Sequence, residues 1–218
     1  MGHYRLLVFD LDGTLVDTAP DITECVNAVL KEEGLPSRGI QEVKKAIGLG
    51  VHELIRGLSP RPLDPGHLER LVLRFRELYW ADSSRLSRPF PGVIEALAGP
   101  LAAVRKAVLT NKPHDYAVKI LAELGMASHF EIVVGGGHRS LPYKPQTGGL
   151  EYILGEADAK PADTALIGDS SIDRRTAQDA GVDFFWVGYG YEEPPQGETL
   201  PVFSKAAEWS ALANGRKG

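Results

Sequence analysis

The chain has 218 residues, of which 43% are hydrophobic and 24% are charged, and its formal net charge is -5. This length and balance predict a folded protein with one full α/β core and room for a smaller second domain. The negative charge disfavours nucleic acid as the main partner, although a bound metal can still attract an anionic substrate to one site. The single cysteine, Cys25, excludes an internal disulfide and suits a reducing compartment.

The first apolar run, Leu6–Phe9, is too short for the core of a signal peptide or for a membrane span. No later apolar run reaches the length of a spanning helix. We therefore expect a soluble cytoplasmic protein that has no membrane partner.

Five apolar runs have the pattern of strands that are buried on both faces of a parallel sheet. These runs are residues 6–9, 107–109, 132–134, 164–167 and 184–187. Polar or glycine-rich turns follow them, and most of these turns lead into a helical pattern. Strands that alternate with helices predict an α/β fold with a doubly wound parallel sheet, in which ligands bind at the carboxyl ends of the strands.

The segment between the first and second strands has a different pattern. Apolar residues recur there at helical spacing in three stripes, which begin at Ile22, Leu54 and Leu68, and glycine or proline residues separate the stripes. We predict an inserted helical bundle. The predicted domains are a core of residues 1–18 and 89–218 and a helical insert of residues 19–88.

The strongest chemical signal is the string DLDGTLVD at residues 10–17, directly after the first strand. Asp10 and Asp12 project in the same general direction, and their mutual repulsion in a buried site is hard to sustain without a cation. Mg²⁺ is the natural cation for an all-oxygen site that also holds a phosphate. Gly13 permits a tight turn and a close backbone approach to a ligand. An ordinary turn with an aspartate helix cap is the alternative, but it does not explain the whole string.

This string resembles the nucleophile motif Asp-x-Asp-Gly-Thr of the haloacid dehalogenase superfamily, whose fold is the doubly wound sheet predicted above. The resemblance implies that Asp10 attacks phosphorus and that Asp12 protonates the leaving oxygen and then activates water. Gly13 and Thr14 are expected to contact the substrate. The dehalogenases proper lack an acid at the position of Asp12, so phosphoryl transfer is favoured over cleavage of a carbon–halogen bond.

Two further motifs of the superfamily are weak when each is taken alone. Thr110 and Asn111 end the second strand, where a hydroxyl and an amide can hold a phosphate oxygen, but a plain strand-to-helix turn has the same pattern. Lys144 offers a cation to the phosphate and to the nucleophile, although a lone loop lysine is usually solvated. The position of all three residues in the motif order makes them catalytic candidates.

The fourth motif is GDSSID at residues 168–173, after the fourth strand. Acidic groups between a strand end and a helix start fit an octahedral cation site. The resemblance implies that Mg²⁺ is the cofactor and that Asp10, Asp12 and Asp169 are its ligands. Ser170 and Asp173 are expected to hold these ligands in place, or to pair with the lysine, without binding the metal directly.

The helical insert occupies the position of a C1-type cap, which closes over the active site and carries substrate specificity. The strings TNKP at residues 110–113 and IGLG at residues 47–50 resemble the phosphoglycolate phosphatase branch of the superfamily. This resemblance implies a phosphatase for a small phosphorylated metabolite, with 2-phosphoglycolate as the first candidate. The expected substrate contacts in and near the cap are Gly48, Gly50, Arg56 and Lys112.

Three alternatives remain open at this stage. They are a mutase similar to β-phosphoglucomutase, a pyrophosphatase or nucleotidase of the same superfamily, and a regulator that binds a phosphometabolite. A mutase needs a cap cation for its second phosphate, and the loop at residues 48–51 offers none. Lys44, Lys45, His52 and Arg56 flank that loop; they form either a solvated helix face or, in the case of one of them, a contact to the substrate carboxylate. We hypothesise that Arg56 makes this contact, and we expect a monomer or a homodimer.

Overall fold

The computed structural model describes residues 4–197 and 199–213. Its strands are β1 (Leu6–Phe9), β2 (Val16–Asp17), β3 (Arg88–Pro89), β4 (Arg105–Pro113), β5 (Ile132–Gly136), β6 (Thr164–Gly168), β7 (Asp183–Val187) and β8 (Val202–Phe203). Its α-helices are α1 (Ala19–Glu32), α2 (Ile40–Ala46), α3 (Val51–Leu58), α4 (Pro65–Ala81), α5 (Val93–Ala98), α6 (His114–Glu123), α7 (Gly148–Glu156), α8 (Ser171–Asp179) and α9 (Ser210–Ala213). No helix in these two ranges is both long enough and apolar enough to cross a membrane.

Six strands form one sheet in the order β5-β4-β1-β6-β7-β8, and every pairing in it is parallel. All five predicted strands are present, so the predicted sheet is confirmed. Strand β8 was not predicted, because two residues after a polar loop are too short to show a period. The second predicted strand is too short, since β4 continues through the polar residues up to Pro113.

Strand β1 lies in the centre of the sheet, between β4 and β6, and is fully buried. Leu7 and Phe9 pack into one apolar cluster while Leu6 and Val8 pack into another. Because successive side chains of a strand point to opposite faces, both faces of the sheet are covered. The next residue, Asp10, therefore emerges at the middle of the sheet's carboxyl edge.

The helices α1 to α4 form the helical insert, between β2 and β3. Their predicted apolar stripes are buried, for example at Ile22 and Val26 in α1 and at Leu71 and Phe75 in α4. The antiparallel pair β2–β3, which the sequence did not predict, brings the entering and leaving chains side by side. The division into a core and a cap remains a prediction at this point.

Asp21 ties the first helix of the insert to the chain that leaves it. Its side chain is 1% exposed. Its carboxylate oxygens accept hydrogen bonds from the main-chain N–H groups of Leu86 (2.9 and 3.0 Å) and Ser87 (2.7 Å) and from the Ser87 hydroxyl (2.6 Å). The two ends of the insert are thus joined by one buried side chain.

Replacement of Asp21 by alanine should lower the free energy of unfolding by about 3 kcal/mol, because two main-chain donors lose their acceptor. Urea denaturation measures the loss. The control is Asp64→Ala, which removes an exposed N-cap of α4 that accepts from the His67 N–H and should cost about 1 kcal/mol. Equal losses in the two variants would contradict the special role of Asp21.

Candidate active site

The carboxyl ends of the central strands bring one lysine and three aspartates together. Asp10 follows β1, Asp169 follows β6 and Asp173 lies in the first turn of α8. The Nζ atom of Lys144, from the loop between β5 and α7, lies 2.8 Å from Asp10 Oδ1 and 2.5 Å from Asp173 Oδ1. All four side chains are buried, so water and salt screen these charges only weakly.

The three aspartates, Asp10, Asp169 and Asp173, form an acidic cluster whose carboxylate oxygens lie within 4.8 Å of one another. Burial raises the pKa of Asp10 to about 7, an effect that Lys144 opposes and the charge of Asp173 reinforces. Burial also raises the pKa of Asp169 well above its ordinary range, and Asp10 and Asp173 add to that shift. A buried, all-oxygen set of mutually repelling acids fits Mg²⁺.

Asp169 is held in place by its neighbours in two loops, which follow β1 and β7. The Thr14 hydroxyl donates to its Oδ1 at 3.0 Å, and the main-chain N–H of Tyr191 donates to its Oδ2 at 2.7 Å. Gly13 has φ +85°, and a Cβ atom there would lie 2.2 Å from Asp169 Oδ2; a Cβ atom at Gly190 would lie 2.2 Å from Asp169 Cβ. Thr14 was expected to contact the substrate, but its fully buried hydroxyl instead positions a carboxylate of the acidic cluster.

Asp173 is fixed by Ser170, the N-cap of α8. The Ser170 hydroxyl donates to Asp173 Oδ2 at 2.6 Å and accepts from the Asp173 N–H at 3.2 Å. Together with the ion pair to Lys144, these bonds fit the supporting role expected of both residues.

Asp12 has surroundings different from those of Asp10. Its Oδ1 lies 3.0 Å from Nζ of Lys112 and accepts a hydrogen bond from the Thr18 hydroxyl at 2.6 Å. The Asp12 carboxylate is therefore turned away from the acidic cluster, in which Asp173 and not Asp12 is the third acid. Lys112, expected to contact the substrate, is also bonded to the hydroxyl of Tyr79 at 3.1 Å.

The side-chain amide of Asn111 forms hydrogen bonds to the main chain of the helical insert and of the loop that carries Lys144. Its Nδ2 donates to the carbonyl oxygens of Gly48 (2.8 Å) and Lys144 (2.9 Å), and its Oδ1 accepts from the Lys144 N–H (2.7 Å). The expectation that this amide holds a phosphate oxygen is therefore not met. It positions the lysine loop and connects it to the helical insert. The Thr110 hydroxyl accepts from the Lys112 N–H at 3.2 Å and lines the cavity described next.

A cavity of about 220 Å³ lies between the helical insert and the sheet edge. The core contributes the chemical groups to its wall, namely Asp10, Asp12, Thr110, Asn111, Lys112, Lys144 and Asp169. The insert contributes Gly48 and Gly50, as expected, together with Lys44, Lys45, Arg76 and several apolar side chains.

Arg56 is absent from that wall. Its side chain is 53% exposed and forms an ion pair with Glu53, one turn earlier on α3. His52, on the same helix, pairs with Glu69 at the surface. The hypothesis that Arg56 meets a substrate carboxylate is therefore wrong, because α3 turns its apolar face inward and this arginine outward.

A sequence profile of the haloacid dehalogenase-like hydrolase family matches residues 7–187 of the chain. The chain belongs to this family. The match spans all of the acidic cluster, Lys144 and the whole helical insert.

Among the relatives of this haloacid dehalogenase-like hydrolase, phosphoglycolate phosphatase 1 of Pseudomonas aeruginosa is 34% identical and the match covers 94% of this chain and 81% of that protein. The phosphoglycolate phosphatase of Chromobacterium violaceum is 33% identical, with 99% of both proteins covered. A crystal structure of a predicted phosphoglycolate phosphatase from Haemophilus somnus is 29% identical, with a TM-score of 0.88 and coverage of 97% of this chain and 99% of that one.

The loop that follows β7 in this hydrolase contacts the site, which the sequence did not predict. Besides the bond from its N–H to Asp169, Tyr191 uses its hydroxyl at the base of the insert. That oxygen accepts from the N–H groups of Thr18 (2.8 Å) and Ala19 (3.0 Å) and donates to Asp17 Oδ1 (2.8 Å). The position of this loop at the carboxyl end of a predicted strand was the signal that could have identified it.

The Gly13→Ala variant should bind Mg²⁺ at least about 10-fold more weakly than the wild type, because the added Cβ displaces Asp169. Isothermal titration calorimetry measures the affinity.

The matched control is Gly34→Ala. Gly34 also has a positive φ, +67°, but a Cβ atom there meets nothing within 4 Å. This variant should lose some stability and keep its affinity for Mg²⁺. Equal affinities in the two variants would show that Gly13 does not make room for a metal ligand.

Proposed function

We propose that this protein is a Mg²⁺-dependent phosphatase that hydrolyses small phosphorylated metabolites through an aspartyl-phosphate on Asp10, with 2-phosphoglycolate as the first candidate substrate. The observation that carries the proposal is the unequal surroundings of two nearby aspartates. Asp10 is buried against Lys144 and next to two acids. Asp12 is turned towards Lys112 and Thr18. Two carboxyl groups in different environments suit a nucleophile and a proton shuttle.

In the first step a carboxylate oxygen of Asp10 attacks phosphorus. The bond from phosphorus to the ester oxygen breaks, and that oxygen takes a proton from Asp12. Lys144 neutralises part of the charge on Asp10 and on the phosphoryl oxygens as they approach each other. Thr110, in the last part of β4, adds a hydroxyl to the wall around the phosphoryl group.

In the second step Asp12 takes a proton from a water molecule, and the resulting hydroxide attacks phosphorus. The bond between phosphorus and Asp10 breaks, so inorganic phosphate leaves and the carboxylate is restored. The covered cavity limits access of other water to this centre.

We propose that Asp10 and Asp169 hold Mg²⁺ with their carboxylates. Asp12 was expected as a third ligand, but its carboxylate is engaged by Lys112 and Thr18, and we assign it to proton transfer. When bound, Mg²⁺ reduces the repulsion between the acidic cluster and an anionic phosphate ester.

The choice of 2-phosphoglycolate is supported by the names of the relatives and by the cations of the insert that line the cavity. We propose that residues 19–88 act as the cap over this cavity and that the substrate enters between cap and core. The single cysteine and the metabolite-sized cavity suit a cytoplasmic enzyme.

The Asp12→Asn variant should lower the steady-state rate on 2-phosphoglycolate by about 10²- to 10⁴-fold, because the leaving oxygen loses its proton donor. With p-nitrophenyl phosphate the leaving group needs no proton, so the first step should survive and the second should not. In stopped-flow measurements, Asp12→Asn should release one burst of p-nitrophenolate that is stoichiometric with the enzyme. A wild-type rate without a burst would contradict the role of Asp12, and Asp10→Asn, as the blank, should give neither burst nor turnover.

The substrate is tested by a screen of phosphate release with Mg²⁺, in which the wild type should prefer 2-phosphoglycolate over glucose 1-phosphate, pyrophosphate and nucleoside monophosphates. Conversion of glucose 1-phosphate to glucose 6-phosphate would instead identify a mutase. No Mg²⁺-dependent release from any ester, p-nitrophenyl phosphate included, would overturn the phosphatase and favour a phosphometabolite-binding regulator.

A further inference from the structure

Arg76 is a cation of the cavity wall, and no acid among the described residues pairs with it. It lies on α4 and is partly buried, with its Nε atom fully buried. Among residues 4–197 and 199–213, this Nε has no hydrogen-bond partner and the guanidinium forms no ion pair. A buried cation without a partner is costly, so native proteins normally pair such groups with an anion.

The other buried or partly buried cations that line the cavity already face carboxylates. Lys144 pairs with Asp10 and Asp173. Lys112 pairs with Asp12. The Nζ atom of Lys44 lies 3.9 Å from Asp17 Oδ2 and above the ring of Tyr191. Within residues 4–197 and 199–213, Arg76 is therefore the partly buried cation of the cavity wall that is left for a group from outside; Lys45 also lines the cavity, but it is exposed.

The groups around Arg76 favour an anion. Phe75, Tyr79 and Tyr116 line the same cavity and bring no negative charge, and Tyr79 and Tyr116 stack on each other at 5.6 Å. The Tyr116 hydroxyl donates to the main-chain oxygen of Arg76 at 2.8 Å, which fastens this turn of α4 to the core. Apolar surroundings strengthen the attraction of a guanidinium for an oxyanion.

The position of Arg76 also tells which end of a substrate it would meet. Tyr79 is one turn further along the same helix, so the two side chains are neighbours. The Tyr79 hydroxyl is bonded to Lys112, which in turn is paired with Asp12. Arg76 is thus one turn of α4 away from the chain of contacts that ends on Asp12, the proposed proton donor.

We infer that Arg76 determines specificity by binding a second oxyanion, a carboxylate or a further phosphate, on the leaving-group part of the substrate. The inference rests on the proposed phosphatase function and deepens it, since it defines the substrate class as small phosphate esters with a second negative group. The planar fork of arginine matches both kinds of oxyanion with two parallel hydrogen bonds.

The first test compares Arg76→Met with the wild type on two substrates. The KM for 2-phosphoglycolate should rise at least about 10-fold, as expected for the loss of a charge-assisted hydrogen bond. The KM and kcat for p-nitrophenyl phosphate, which has no second anion, should change by less than about 2-fold. Arg76→Lys keeps the charge without the fork and should give an intermediate KM for 2-phosphoglycolate, and it also serves if the methionine variant does not fold.

The matched control is Arg74→Met, on the same helix. Arg74 is exposed and pairs with Glu32 and Glu77, so its replacement should leave the kinetics on both substrates unchanged. Glucose 1,6-bisphosphate is a third substrate for the same comparison. A larger change in KM for 2-phosphoglycolate in Arg76→Met would indicate that Arg76 prefers a carboxylate, and a larger change for glucose 1,6-bisphosphate would indicate a phosphate. Equal losses on 2-phosphoglycolate and p-nitrophenyl phosphate in Arg76→Met, or no loss on any doubly anionic ester, would overturn the inference.

A binding measurement separates this inference from the phosphatase proposal. In the Asp10→Asn background, calorimetry should show that Arg76→Met weakens binding of 2-phosphoglycolate at least about 10-fold while Arg74→Met does not. If the wild type lacked turnover but this difference in binding persisted, the phosphatase proposal would fail and the anion site would stand. If the wild type showed turnover but Arg76→Met bound 2-phosphoglycolate as tightly as its parent, the phosphatase proposal would stand and the inference about Arg76 would fail.

Discussion

Lys144 lies buried between Asp10 and Asp173, and a third acid, Asp169, completes the cluster around it. Burial opposes its charge, but the two paired aspartates together raise its pKa above the ordinary value. One lysine cannot neutralise three buried carboxylates, so the edge of the sheet is left with a deficit of positive charge. The rest of the site follows from this constraint. Glycines make room for Asp169, Ser170 holds Asp173, and Asn111 fixes the backbone of the lysine itself.

The last residues of β4 connect this chemistry with the helical insert. Asn111 bonds to the Gly48 carbonyl on the insert and to both main-chain groups of Lys144. Lys112, the next residue, joins Asp12 to Tyr79 of α4. Two consecutive residues of one strand end therefore connect the insert to two parts of the site: Asn111 to the lysine loop, and Lys112 to Asp12, the proposed proton donor.

The sequence predicted the sheet, and it predicted aspartates at the strand ends, because both depend on local patterns. It expected Asp12 in the acidic set, whereas the cluster holds Asp173 in that place. It did not predict contacts that depend on partners far along the chain. Arg56 was chosen because it lies near the IGLG loop, whereas the face of its helix decides that it is solvated. Arg76 lies within an apolar stripe, and nothing in that stripe reveals that Tyr116, forty residues later, will place it against the cavity. Thr14 was expected to contact the substrate and Asn111 a phosphate oxygen, but a hydrogen-bonding side chain does not itself indicate its partner.

Tyr191 contacts two places that are otherwise separate. Its N–H holds Asp169, and its hydroxyl holds the chain at Asp17, Thr18 and Ala19, where the insert begins. The residue proposed to hold the cation and the base of the insert therefore share one tyrosine. If the insert closes as the proposed cap, cation binding and closure would be coupled through this tyrosine, and such linkage is reciprocal: a substrate that favours closure would strengthen cation binding by the same factor by which the cation favours closure.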